Sequence, residues 1–281
     1  MNNRLNSKNH DRDAVGMLYV YPVISRRAGG VSVGINLNPN NACNWHCAYC
    51  QVPDLQRGVA PDIDLSLLRA ELKRLLSDII LGDFMRDRVP EECRTLCDVA
   101  ISGNGEPTSC KQFDVVVQII VEVMNAFGLD VPLRLITNAS YVHKAHVQGG
   151  LALMAQHQGE AWVKVDSVTD AGIQRINGIA LGVDRLRRQL DSVAAVCPVW
   201  IQTCMFNWQG EVPCESEVVA YIDFLKTLLR DGVPICGVLL YGLARPSLQE
   251  EAMYLSTLDH EWMQAMADRI RQAGLEVKLS V

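Results

Sequence analysis

Six short apolar runs, each followed by a stretch with helical spacing, constrain this chain more than any single motif. The runs fall at residues 31–36, 97–102, 131–137, 161–166, 198–205 and 235–241. Between and after them, residues 62–81, 113–127, 141–156, 183–195, 215–230 and 259–273 carry apolar side chains at three- and four-residue steps. The first helical stretch shows the pattern plainly in Leu65, Leu68, Leu72, Leu75, Leu76 and Ile79. Residues 81–90 and 173–178 read as loops, and 275–279 as a last short strand. Strands that alternate with helices of this length build βαβ units on a parallel sheet. Six units are too few for a closed eight-fold barrel, so the expected fold is α/β, a partial (β/α)6 barrel. Residues 1–15 are polar and read as a flexible arm. Residues 16–281 read as one domain with a short C-terminal extension from about residue 246.

In parallel β/α architectures ligands bind at the C-terminal ends of the strands, and the polar features of this chain gather there. The first strand leads into a loop with Cys43, Cys47 and Cys50, spaced Cys-x3-Cys-x2-Cys, with Tyr49 before the third cysteine. Three thiolates on one loop provide ligands for three irons of a [4Fe–4S] cube and leave the fourth open. The same loop is compatible with a zinc site that takes His46 as a fourth ligand, and with cysteines that simply pack as small hydrophobes. The chain has ten cysteines. Without an apolar leader in its first residues, that count points to a reducing, cytoplasmic setting rather than to disulfides. Of the later cysteines, Cys204 and Cys236 lie in apolar strands and are expected in the core. Cys93, Cys97, Cys110 and Cys214 lack the tight spacing of a second cluster.

The second strand ends in Ser102-Gly103-Asn104-Gly105-Glu106-Pro107. Glycines admit a ligand close to the backbone, and a carboxylate pairs with an ammonium. Read structurally, the segment is a strand-to-helix turn with an incidental acid. Asn138, at the end of the third strand, is placed either to touch a ligand or to cap the next helix with Ser140. Lys164 and Asp166 alternate with Val163 and Val165, so two polar side chains share one face of a buried strand. They meet a shared ligand at the rim or form a structural ion pair, Asp166 with Arg175 for example. Trp45 and His46 shield the loop or meet a partner, while Trp200, Trp208 and Trp262 are expected in the core.

The cysteine loop followed by the Gly-Glu-Pro turn resembles the radical S-adenosylmethionine (radical SAM) superfamily. In that family the open iron chelates the amine and carboxylate of SAM, and reductive cleavage releases a radical that abstracts hydrogen from a substrate. The resemblance implies a partial TIM barrel of radical SAM type, with a [4Fe–4S] cluster on Cys43, Cys47 and Cys50. It also implies a SAM site drawn from Tyr49, Gly103, Asn104, Gly105, Glu106, Asn138, Lys164 and Asp166, and a reductant such as flavodoxin or ferredoxin. Lys164, Tyr241 and Arg245 are the candidates for catalysis on the substrate side. The segments Val163-Lys164-Val165-Asp166, Arg175-Ile176-Asn177 and Leu240-Tyr241-Gly242-Leu243-Ala244-Arg245-Pro246 are similar to the branch around 4-demethylwyosine synthase, which modifies tRNA. That enzyme carries further cysteines upstream for a second cluster, and this chain has none before Cys43. A substrate different from that enzyme's is therefore expected, and the charge balance given below points to a small molecule or a peptide. A tRNA base and a partner protein that receives a radical stand as the alternatives, and an iron–sulfur electron carrier or sensor as the non-enzyme reading. Acids outnumber bases, 32 to 26, which disfavours a polyanion. The basic groups are scattered over Arg26 and Arg27, Arg86 and Arg88, and Arg185, Arg187 and Arg188. No apolar run approaches the ~20 residues of a membrane span.

Overall fold

The computed structural model describes residues 4–6, 15–25 and 29–281. Most of the polar arm, and Arg26 and Arg27, lie outside the described residues. The centre is one eight-stranded sheet whose spatial order follows the chain. The strands are β1 (Val20–Ser25), β2 (Gly30–Ile35), β3 (Leu96–Ile101), β4 (Leu133–Thr137), β5 (Glu160–Lys164), β6 (Val199–Cys204), β7 (Ile235–Tyr241) and β8 (Val277–Ser280). From β2 to β8 every pairing is parallel, and β1 runs antiparallel to β2. The sheet stays open, a partial barrel with its six βα units as expected.

The helices are α1 (Leu65–Ile80), α2 (Phe84–Arg88), α3 (Phe113–Ala126), α4 (Ala145–Gln156), α5 (Asp170–Asn177), α6 (Val183–Ala194), α7 (Glu215–Arg230) and α8 (His260–Gln272). Asp64 caps α1 by accepting from the Ser66 and Leu67 amides at 3.0 and 2.9 Å. Of the predicted apolar stripe of that helix, Leu68, Leu72, Leu75, Leu76 and Ile79 are buried and Leu65 at its start is half-buried. Outward-facing strand residues such as Val33, Val99, Leu135, Val163, Ile201 and Val238 pack with the helices into the main core. The inward-facing set is different in kind: Asp98, Ala100, Ser102, Arg134, Ile136, Trp162, Lys164, Gln202, Cys204 and Tyr241 line an open lumen. The alternation of the strands thus separates a dry core from a polar interior.

Three local expectations change. The 81–90 stretch contains the short helix α2, and residues 173–178 close α5 rather than forming a loop. That helix is capped by the Thr169 hydroxyl, which accepts from the Gly172 amide at 3.0 Å. It is stopped by Gly178 at φ +63°. Strand β1 is additional; its Pro22 fits because β1 is an edge strand. Strand β5 ends at Lys164, so Asp166 stands just past it. Among the cysteines, Cys204 is buried, but Cys236 is exposed rather than in the core. Trp200 is buried as expected, while Trp208 and Trp262 are half-buried.

Candidate active site

A cavity of about 290 Å³ opens at the C-terminal ends of the strands and runs down the lumen. Cys43, Cys47 and Cys50 line it, together with Tyr49, residues 103–106, Asn138, Lys164, Gln202, Tyr241 and Arg245. Every site residue expected from the sequence except Asp166 thus faces one cavity. Asp166 lies behind it, lining an adjacent cavity together with Arg175 and Trp208.

The loop is fixed from three sides. Gly105 passes so close that a Cβ there would sit 2.0 Å from the Ala42 carbonyl, which explains glycine at this point of the turn. On the second side, the amides of His46 and Ala48 donate to the carbonyls of Asn177 and Ile176 at 3.0 and 2.8 Å. On the third, a strap after β7 covers the loop. The Ser247 hydroxyl donates to the Ala48 carbonyl at 2.6 Å, and Arg245 Nε donates to Gln51 Oε1 at 2.9 Å. Arg245 is therefore tied to the residue after Cys50. Trp45 is buried, its indole donating to the Ser140 hydroxyl at 3.1 Å, so it braces the loop and offers no face to a partner.

The three cysteines are free thiols. Among the described residues, no three His, Cys, Asp or Glu side chains gather around one point suited to a single metal ion. Burial pushes the Cys43 thiol up to about 12 and the Cys47 thiol higher still. A metal that binds here must therefore displace protons.

Glu106 is buried, and its carboxylate is occupied. The Thr108 amide and hydroxyl and the Thr137 hydroxyl donate to Oε1 at 3.0, 2.5 and 2.5 Å, and the Asn138 amide donates to Oε2 at 2.7 Å. Burial lifts this carboxyl above its ordinary range, and those donors oppose the shift. The residue braces the turn after β3 against the end of β4. Asn138 behaves similarly: its side chain accepts from the Ser140 amide and donates to Asn44 Oδ1, both at 3.0 Å.

Lys164 and Asp166 meet at a tyrosine. Lys164 Nζ donates to the Tyr49 hydroxyl at 3.1 Å, and that hydroxyl donates to Asp166 Oδ2 at 2.6 Å. Asp166 also accepts from Asn177 Nδ2 at 2.8 Å and from the Cys204 amide at 2.9 Å. The alternative partner Arg175 lies instead over the Trp208 ring, 5.8 Å from its centroid. Burial disfavours charge on Lys164, but Tyr241 and Asp166 outweigh it and hold the ammonium above its ordinary range.

Two acceptors along this cavity, Asn104 Oδ1 and Gln202 Oε1, are buried with no hydrogen-bond partner. Buried polar groups are ordinarily paired, so the cavity is built to receive donors. Gln202 lies beside Lys164 in the β5–β6 register. Its sequence signal is its place near the end of the fifth apolar run, a polar residue among apolar ones at the rim. Asn177, read as part of a loop, is also in the site.

The fold is that of the radical SAM half barrels. A radical SAM methyltransferase from Sphaerobacter thermophilus superposes with a TM-score of 0.58, covering 92% of this chain and 68% of that one at 14% identity. SuiB of Streptococcus suis, bound to S-adenosylmethionine, gives 0.55 at 14% identity, covering 90% of this chain and 47% of that one. TYW1 with a lysine–pyruvate adduct bound gives 0.54 at 15% identity, covering 89% and 74%. No family model matches the sequence. Among curated proteins, "GTPase Obg" of Brachyspira hyodysenteriae is 26% identical over 135 residues, 47% of this chain and 17% of that protein's length. The sequence contains no Gly-Lys pair, so it has no Walker-type phosphate loop.

Proposed function

We propose that this chain is a radical SAM enzyme that binds a [4Fe–4S] cluster and SAM at the C-terminal rim of its half barrel. The observation that carries the reading is the convergence of three free thiols from one loop, the Gly103–Gly105 turn and Lys164 on a single cavity. The donor set fits the group: three sulfurs, with no fourth ligand beside them among the described residues, leave one iron for an exogenous chelate. When bound, the cluster and SAM together supply one-electron cleavage and a carbon radical, chemistry no side chain provides.

The chain's own part is placement. Asn104 Oδ1 and the carbonyls of the turn accept from the ammonium of SAM, and Lys164 donates to its carboxylate. Tyr49 and Asp166 orient Lys164. Glu106 and Asn138 act through the backbone they hold. Gln202, Tyr241 and Arg245 border the part of the lumen left to the substrate, which we assign to a small molecule or a peptide. The tRNA reading needs clustered free cations, and the basic helix supplies few. Arg187 is engaged by Asp191 at 2.8 Å and Asp231 at 2.9 Å. No helix among the described residues is long and apolar enough to cross a membrane, and a cytoplasmic enzyme fed by a flavodoxin or ferredoxin fits the reading.

The test is anaerobic reconstitution with iron and sulfide, then reduction in the presence of SAM. Near four irons per chain and slow release of 5′-deoxyadenosine are expected, both lost in Cys47→Ala. Wild-type protein that takes up iron yet leaves SAM intact would make the chain an iron–sulfur carrier instead.

A further inference from the structure

The side chain of Asn177 is used in a way that the placement of SAM does not require. It is 1% exposed and stands at the last position of α5, where Gly178 turns the chain away. Its carboxamide nitrogen donates to Cys47 Sγ at 3.4 Å and to Asp166 Oδ2 at 2.8 Å. Asp166 accepts, so it fixes which end of the carboxamide faces the sulfur: the N–H end and not the carbonyl. Asp166 is itself held by Tyr49 and by the Cys204 amide, and Tyr49 by Lys164. The donor is thus locked toward the sulfur by residues on three different elements. The Cys43 sulfur accepts from a neighbour on its own loop, the Trp45 amide at 3.5 Å.

Resting on the reading above, we infer that Asn177 is a positioning residue that sets the reduction potential of the cluster through its N–H to the Cys47 sulfur. Reduction adds negative charge that spreads onto the thiolates. A donor aimed at a sulfur therefore stabilises the reduced state and raises the potential. Because Asp166 belongs both to this contact and to the Tyr49–Lys164 pair, cluster tuning and cofactor binding share one anchor.

The experiment compares wild type and Asn177→Leu, which keeps the branched shape and removes the donor, after reconstitution with iron and sulfide. Spectroelectrochemical titration in the absence of SAM is expected to give unchanged iron content and a more negative midpoint potential. Equal potentials at equal iron content would overturn the inference. Should Asn177→Leu fail to take up iron, Asn177→Ser replaces it, being too short to reach the sulfur. A second measurement needs no variant: pulsed EPR of reduced wild type labelled with nitrogen-15 asparagine. A side-chain amide nitrogen coupled to the cluster is expected, and its absence would overturn the inference whatever the variants do. Wild type that assembles no cluster at all would instead overturn the proposed function.

Discussion

Two groups of buried charge line the inner face of this half barrel, one at its floor and one at its rim. At the floor, toward the N-terminal ends of the strands, Arg134 bridges Asp98 and Glu160, the latter at 2.7 Å. The Ser32 hydroxyl donates to Asp98, the Trp162 indole donates to Glu160 at 3.0 Å, and the guanidinium lies over the Trp162 ring at 4.9 Å. Each charge there finds its partner within the network. At the rim, Lys164, Tyr49, Asp166 and Asn177 form an equally buried network, but it ends on a cysteine sulfur and stands beside acceptors with no partner. Burial of charge is common to both. What separates a closed structural network from a site is whether the polar atoms around it are already paired.

That contrast predicts opposite responses to the loss of a cation. Arg134→Met leaves Asp98, 2% exposed, without its counter-charge and with only the neutral Ser32 hydroxyl of the contacts above. Removing one member of a buried pair costs about 3–5 kcal/mol, so denaturant unfolding of the apoprotein should shift by that much, with SAM affinity unchanged in whatever folds. A variant as stable as wild type that no longer binds SAM would place the floor in the site and erase the distinction. Lys164→Ala should do the reverse. Tyr49 still donates to Asp166 without the lysine, so stability should change little. The lost charge-assisted hydrogen bond is worth roughly 1.5–3 kcal/mol, about ten-fold or more in SAM affinity measured on the cluster-loaded protein. Unchanged affinity with a floor-like loss of stability would make the rim a second structural network.

The same contrast explains what the sequence could and could not reveal. Periodicity located β2–β8 and the long helices because their outer faces feed one apolar core, and an apolar stripe is visible in sequence. The rim was visible as a place, since every βα turn opens there. Individual roles were not. Glu106 and Asn138 look like ligand residues by position, but besides their local turn contacts Glu106 accepts from Thr137 and Asn138, 31 and 32 positions along the chain, and Asn138 donates to Asn44, 94 positions away. Asn177 lies in a helix of eight residues, too short and too polar to show a period. Its contact with Cys47 spans 130 positions. Strand β1 escaped because it carries a proline and completes an edge rather than a βα unit.

Glu106→Gln yields the smallest expected effect and separates two uses of the same acid. If the carboxylate itself paired with the ammonium of SAM, the neutral amide would weaken SAM binding and leave the fold alone. The observed contacts argue otherwise. Four donors converge on the two oxygens, from Thr108, Thr137 and Asn138, and a carboxamide offers them only one oxygen. Its nitrogen must then face either the Asn138 amide or the threonine donors, leaving at least one buried donor unpaired at a cost of about 1–3 kcal/mol. The expected result is a loss of stability of that size in the apoprotein, read by denaturant titration. SAM binding should fall only as far as the turn carrying Gly103 and Gly105 loosens from β4. A stable Glu106→Gln protein with strongly reduced SAM affinity would move Glu106 from the brace to the ligand. It would also show that an acid fully paired in the absence of SAM can change partners when SAM arrives.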